Sequence, residues 1–460
     1  MCWQPRTRFS PINRCTMKTD LIIIGSGPGG YRTAEYAAKN GLQVVIAERE
    51  HAGGTCLNCG CIPTKTFCKN AEVIDALHEG ETFGVENLKF DINFSKISER
   101  KRQVVETLRS GVETLLSAPG ITFVKGEARF KDAHTVMIGG EEYTADNIII
   151  ASGSRAKLIP IPGIDLPHVV TSTELLDIDY IPKRLCIIGA GVIGMEFASI
   201  FNSFGSEVTV VEFLKECLPA LDSDIAKRLR QTIGKRGVNF FMQSGVKEIT
   251  KEAVIFERKG KEEQVEADLV LVATGRAANT ESLDLENAGV AYTKQGITVN
   301  DDMMTNVEGI YAIGDVNARM MLAHAATFQG LHAVNHILRK KDNIRLDIIP
   351  SAIFTNPEAG GVGLTEDQCK ESGIAYTCKK GYYRANGKAL AMNETEGLVK
   401  LLADENGKII GCHVFGAHAS DLVQEISSLM TLDTTVQQLR EMVHTHPTLE
   451  EILQEVAEQF

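Results

Sequence analysis

The chain has no long apolar run. Its longest strings, such as Leu21 to Ile24 and Ile148 to Ala151, have strand length, far short of the ~18 residues a membrane-spanning helix needs. A basic stripe is also missing. Sixty acids stand against 48 Lys and Arg, a formal net charge of -12, so no nucleic acid and no membrane surface is expected as a partner, because both recruit clustered Lys and Arg. Nor do the cysteines form a framework. There are eleven, an odd number, and most are scattered singly, which predicts a reducing, cytoplasmic setting with one special group instead of a disulfide scaffold. Cys2, Cys15, Cys68, Cys186, Cys217, Cys369, Cys378 and Cys412 read as structural, and no metal is expected. Residues 1–16 carry Arg6, Arg8 and Arg14 without an acid, faintly like a mitochondrial transit segment, but Pro5 and Pro11 break them. An upstream start ahead of an initiator at Met17 is the preferred reading, with the segment disordered. At 460 residues the chain exceeds the roughly 250 to 300 that one core serves, so two to four domains are expected.

One pattern occurs twice. A strand from Asp20 to Ile24 runs into Gly25, Gly27 and Gly30, a helical stretch stopped by Gly41, and a strand from Gln43 to Ala47 ending at Glu48. It returns as Arg184 to Ile188, then Gly189, Gly191 and Gly194, a stop at Gly205, and Glu207 to Val211 ending at Glu212. In both copies the stop lies 16 and the acid 23 positions after the first glycine. Each is a βαβ dinucleotide signature: the glycines allow a tight turn, close approach of a pyrophosphate, and helix packing on the strand, while the acid meets a ribose. Glu212 disfavours a 2'-phosphate, and Phe213, Leu214 and Lys215 supply no arginine cluster for one, so the second site is read as taking NAD.

The run GGTCLNCGCIPTK, Gly53 to Lys65, follows the first signature and places cysteines where a flavin ring would end. Cys56 and Cys61 are read as the redox pair, and the first site as an FAD site. In a regular helix their Cα atoms would be roughly 7.5 Å apart, beyond the about 4.4 to 6.8 Å a disulfide wants, but Gly60 and Pro63 are residues that let a helix start late or distort, which allows a strained, reducible bridge. Cys56 and Cys59, three apart, could also be bridged on a helix, and that alternative stays open. In GIYAIGDV, Gly309 to Val316, a short strand ends in Asp315, placed for a flavin ribityl chain. MLAHAATFQG, Met321 to Gly330, reads as a helix start whose dipole could face a reduced flavin; His324 there is read as packing or hydrogen bonding.

These motifs, with IIGAGVIGMEF, VTVVE, ATGRAANT, FTNPE and the terminal HTHPTLEE, resemble the pyridine nucleotide-disulfide oxidoreductases, and among them the dihydrolipoyl dehydrogenase branch, from Met17 to near the end. The resemblance implies an α/β fold with two Rossmann-like dinucleotide-binding domains, for FAD and NAD, plus a C-terminal α+β interface domain. The expected segments are an FAD domain at 17–156, an NAD domain at 157–277, a second flavin segment at 278–345 and the interface domain at 346–460; IIIASGS, Ile148 to Ser154, and LVLVATGR, Leu269 to Arg276, echo each other like hinges. By position, Cys56 would be the exchange thiol, Cys61 the thiol against the flavin, Lys65 and Glu196 a pair beside the ring, and His446 the base held by Glu451. That dyad would serve the other subunit of an obligate homodimer. FAD would meet Gly25, Gly27, Gly30, Glu48, Thr55, Lys65, Ser152, Gly153, Asp315, Leu322, Ala323 and His324, and NAD would meet Gly189, Gly191, Val192, Ile193, Gly194, Glu212 and Gly275. Pro447 followed by Glu450 and Glu451 reads as a helix start with acids in its first turn.

The implied reaction oxidises protein-bound dihydrolipoyl groups with reduction of NAD, the partner being a lipoylated carrier, either a 2-oxo acid dehydrogenase acyltransferase or a glycine-cleavage carrier protein. Alternatives are an NADH-dependent reductase of another small disulfide and a non-catalytic flavin redox sensor. The chain departs from the family at Cys59, commonly valine, at the glycines of FTNPEAGGVG, and at TFQG, usually acidic. The absence of terminal cysteines speaks against mercuric reductase and the large thioredoxin reductases, both redox cysteines against the soluble transhydrogenase, and Glu212 against glutathione reductase. From Asp421 to Phe460 eight acids face one arginine, read as a solvated face in preference to a docking site.

Overall fold

The computed structural model describes residues 17–460, and the segment 1–16, expected to be disordered, lies outside them. Two compact units emerge, one built from 17–54, 109–154 and 278–342, the other from 55–108, 155–277 and 343–460.

In the first unit the strand Met17–Ile24 pairs in parallel with Val44–Glu48 on one side and Glu141–Ile150 on the other. Ile121–Lys125 extends the sheet beyond Val44–Glu48, and Ile310–Ala312 runs parallel beside the end of Glu141–Ile150. Leu21, Ile22 and Ile23 are wholly buried, the unbroken apolar run expected of a parallel strand covered on both faces. The helix Pro28–Lys39 starts with proline in its first turn and gives way at Asn40 and Gly41, the asymmetry that stops a helix before the next strand. A second helix, Ala323–Ile337, lies against it. Thr327 Oγ1 donates to Pro28 O, and Gly330 passes so close to Thr33 Oγ1 that a Cβ would lie 1.7 Å from it.

The second unit holds another parallel sheet, in the order Asn239–Phe241, Glu207–Val211, Arg184–Ile188, Leu269–Val272 and Val169–Val170. An antiparallel three-stranded sheet, Ser244–Ile249, Ala253–Arg258 and Lys261–Glu266, adjoins it in sequence. The C-terminal part is an antiparallel sheet ordered Ser351–Ile353, Ala359–Gly363, Ile409–Phe415, Leu398–Ala403 and Thr377–Tyr382. The helices Ala419–Thr431 and Glu451–Ala457 pack on this sheet. The expected α/β pair with an α+β C-terminal domain is therefore present. Among the described residues no helix is long and apolar enough to cross a membrane.

Two helices of this unit position the chemistry. Cys61–His78 docks on Val192–Ser203, with Phe67 fully buried and its ring 6.0 Å from Phe204 and 5.9 Å from Phe94. Burying such rings stabilises the docking by about 3 kcal/mol or more each, judged by what truncation costs.

Candidate active site

The duplicated glycines do the same work twice. Gly25 and Gly189 hold φ of +103° and +107°, and a Cβ on them would lie 2.4 Å from Ala151 O and 2.5 Å from Ala273 O. On Gly30 and Gly194 a Cβ would lie 1.9 Å and 2.0 Å from the carbonyls of Gly25 and Gly189. Both pairs need glycine for packing. The middle glycines differ: at Gly27 and Gly191 an added Cβ meets no atom within 4 Å. The open space at these helix N-termini is where N–H groups and the dipole suit an anion, so the residues fit the pyrophosphates of two dinucleotides. In the first cradle Gly54, at φ +60°, also lies over Gly27.

Each acid ties its cradle together. Glu48 Oε2 accepts from Ser26 N at 3.0 Å and Ser26 Oγ at 2.7 Å, while Oε1 accepts from Glu50 N at 2.8 Å. Glu212 Oε2 accepts from Ala190 N and Oε1 from Leu214 N, both at 2.6 Å. The partners occupy equivalent positions in the two copies, and lone pairs remain for ribose hydroxyls. Ser152 and Gly153 follow Ala151 as Thr274 and Gly275 follow Ala273. Gly153 and Gly275, at φ +70° and +112°, again face open space.

Asp315 sits in the turn Gly314–Asn317 and accepts from Ser154 Oγ. Gln329 Oε1 fixes that turn through Gly314 N at 2.7 Å and Asn317 Nδ2 at 2.9 Å. Leu322 is the N-cap of Ala323–Ile337, so the expected helix start stands, with His324 exposed in its first turn. Val192 and Ile193 open the helix of the second cradle, and Thr55 lies in the short helix Gly54–Cys59.

Cys56 belongs to that short helix and Cys61 begins the next, Cys61–His78, with a break at Gly60 (φ -144°, ψ -114°). The break resolves the spacing problem. A Cβ on Gly60 would lie 2.9 Å from Thr55 O and 3.3 Å from the Cα of Cys56, so glycine lets the chain fold back there. Both cysteines are thiols, and they hydrogen-bond to each other. That bond makes Cys61 more acidic than an ordinary thiol, its pKa lowered to about 7, against burial and with help from the Lys65 charge. The same bond, and burial, push Cys56 upward. A helix N-terminus favours thiolate at Cys61 further.

Lys65 Nζ meets both oxygens of Glu196 at 2.9 Å, and Glu196 is only 3% exposed. Burial opposes the charge on Lys65, but Glu196 outweighs it and holds the ammonium above its usual range. The sequence did not assign Phe354. Its N–H donates to Glu196 Oε1 at 2.9 Å, and its ring centroid is 4.8 Å from Lys65 Nζ.

His446 Nδ1 lies 2.9 Å from Glu451 Oε1, and Thr448 N donates to Glu451 Oε2 at 2.9 Å. The Thr448 amide and His446 together hold the Glu451 carboxyl below its ordinary range. One expectation is corrected: Pro447 does not open the helix, which begins at Glu451. The carboxylate of Glu451 takes the Thr448 amide instead, leaving Pro447 in the preceding turn. His446 is 79% exposed at the side chain, and Val443 is 98% exposed nearby in sequence.

Known proteins match this arrangement along the chain. Residues 19–330 match the family model described as pyridine nucleotide-disulphide oxidoreductase, and 349–457 match its dimerisation domain. A dihydrolipoyl dehydrogenase of Mycoplasma pneumoniae is 38% identical over 448 residues, covering 96% of this chain and 98% of that one. One from Haloferax volcanii is 38% identical, covering 96% of each. Among solved structures, the HOCl-induced flavoprotein disulfide reductase RclA from Escherichia coli aligns with a TM-score of 0.85 at 30% identity, covering 95% of this chain and 99% of that one. With two dinucleotide cradles, a paired dithiol and matches of this extent, the chain belongs to the pyridine nucleotide-disulphide oxidoreductase family.

Proposed function

We propose that this enzyme, a homodimer using FAD and NAD, oxidises protein-bound dihydrolipoyl groups. The observation that carries it is the Cys56 and Cys61 pair folded together at Gly60, with Cys61 at a helix start and beside the Lys65 charge. The lipoyl substrate rests on the relatives, which are named dihydrolipoyl dehydrogenase over nearly their whole length.

In the oxidised enzyme Cys56 and Cys61 form a disulfide. His446, oriented through Nδ1 by Glu451, takes a proton from one substrate thiol at Nε2. The thiolate attacks Cys56 Sγ, and Cys61 leaves as thiolate, the better leaving group because its acidity is raised. The second substrate thiol attacks the substrate sulfur of the mixed disulfide, closing the cyclic disulfide, and its proton passes to the Cys56 sulfur released in that step, leaving Cys56 as thiol and Cys61 as thiolate. The substrate has lost two electrons and the cysteine pair has gained them. FAD, which the first cradle around Gly25, Gly27 and Gly30 would hold, would supply two-electron redox chemistry between the cysteine pair and an NAD held at Gly189, Gly191 and Gly194. Lys65 and Glu196 hold a charge pair beside Cys61 throughout. Exposure of His446 suits a base delivered to the other subunit. The carrier is a lipoylated acyltransferase or glycine-cleavage protein.

The RclA likeness favours a second reading, a disulfide reductase driven by NADH. Turnover with dihydrolipoamide and NAD should exceed turnover with NADH and small disulfides by orders of magnitude. The reverse ranking would replace the proposal with the reductase.

A further inference from the structure

Phe354 belongs to the FTNPE run and follows the strand Ser351–Ile353, yet no step of the reaction uses it. Three contacts converge on this half-buried residue. Its amide donates to Glu196 Oε1 at 2.9 Å, its ring centroid lies 4.8 Å from Lys65 Nζ, and its carbonyl accepts from Cys68 Sγ at 3.2 Å. It thus joins the helix Cys61–His78 to the helix Val192–Ser203 at the ion pair between Lys65 and Glu196.

We propose that Phe354 is a positioning residue that fixes this ion pair from both sides, its amide on the carboxylate and its ring on the ammonium, and so maintains the positive charge that Cys61 experiences. The inference rests on the reading of Cys61 as the thiol that faces the flavin. Lys65 directs its ammonium at both Glu196 oxygens. The aromatic face attracts the cation through its quadrupole and occupies space that water would otherwise use to solvate and screen it. Without the ring Lys65 keeps Glu196 but gains water, and its field at Cys61 weakens. The groups facing Cys61 are Cys56, Lys65 and Glu196; those facing Lys65 are Glu196, Cys61 and Cys68, and Cys68 also senses Glu358. Burial pushes Cys68 up to about 12, so it acts on Phe354 as a neutral donor. The Cys56 bond to Cys61 does not involve the ring, so the expected effect is a shift and not a loss.

The test uses flavin-loaded holoenzyme, wild type, Phe354→Leu and Phe354→Tyr, reduced by one equivalent of dithionite and titrated with pH. The readout is the long-wavelength absorbance of thiolate against flavin. Leucine should raise its midpoint by about 0.5 pH unit, and tyrosine, which keeps the ring, should restore it. If the leucine variant does not load flavin, Phe354→Met is read in the same way. An unmoved midpoint, or equal shifts in the leucine and tyrosine variants, overturns the positioning role. A wild-type enzyme without the band would instead overturn the relay reading, and this inference with it.

Discussion

Replacing Gly191 by alanine should leave the fold intact and cost the enzyme its pyridine nucleotide. The backbone there, φ -75° and ψ -174°, is extended and open to alanine. A Cβ would meet no atom within 4 Å, so stability should change by no more than about 0.5 kcal/mol. The methyl would stand at the helix N-terminus, in the open space proposed for the pyrophosphate. Losing one hydrogen bond to a charged phosphate costs about 1.5 to 3 kcal/mol, roughly 10- to 100-fold in affinity. Gly194 gives the contrast. Its Cβ would lie 2.0 Å from Gly189 O, so alanine must part helix from strand and destabilise by about 1 to 3 kcal/mol. Thermal melts and KM for NAD measured on both variants separate the effects, with the flavin absorbance ratio as a control that neither should change. Gly191→Ala melting early with an unchanged KM would refute the assignment of that space to phosphate.

His446→Gln should keep flavin content and spectrum while turnover with dihydrolipoamide falls about 100-fold or more; near-normal turnover would remove His446 from its role. Lys65→Met leaves the buried Glu196 carboxylate with only the Phe354 amide among the contacts described above, and denaturant melts should show a loss on the order of 3 kcal/mol. Because Cys56 donates to Cys61 and Lys65 is near, the Cys61 thiolate should persist well below the 9.0 of an ordinary thiol. Cys56→Ala should move the thiolate absorbance to higher pH, and an unmoved band would show that the bond is not its cause. Gly60→Ala, whose Cβ would press on Thr55 O at 2.9 Å, should slow formation of the Cys56 and Cys61 disulfide, read by thiol counts after oxidation. Wild-type rates would mean that the break does not set their approach.

The two cradles were legible because their chemistry is local: three glycines, a stop and an acid at fixed offsets declare a βαβ unit. The cysteine run was legible in kind, but the break at Gly60 had to be seen before Cys56 and Cys61 could be brought together. IIIASGS and LVLVATGR echo each other for a reason the sequence does not state. Each sets a carbonyl, Ala151 or Ala273, against the first glycine of its own cradle. Phe354 was hidden because its partner Glu196 is 158 residues away and the contact uses a backbone amide, which leaves no residue-type signature. Pro447 misled because proline favours helix starts, whereas Glu451 satisfies the Thr448 amide and the helix waits until Glu451 itself.

The central claim, a relay from dihydrolipoyl groups through Cys56 and Cys61 to NAD, is tested most directly by an absorbance titration of the flavin-loaded protein with dihydrolipoamide, first alone and then with NAD. The account predicts a long-wavelength band from the Cys61 thiolate on addition of the dithiol, followed by its loss and stoichiometric NADH when NAD is added. A flavin that bleaches or stays unchanged, with no NADH, would contradict it.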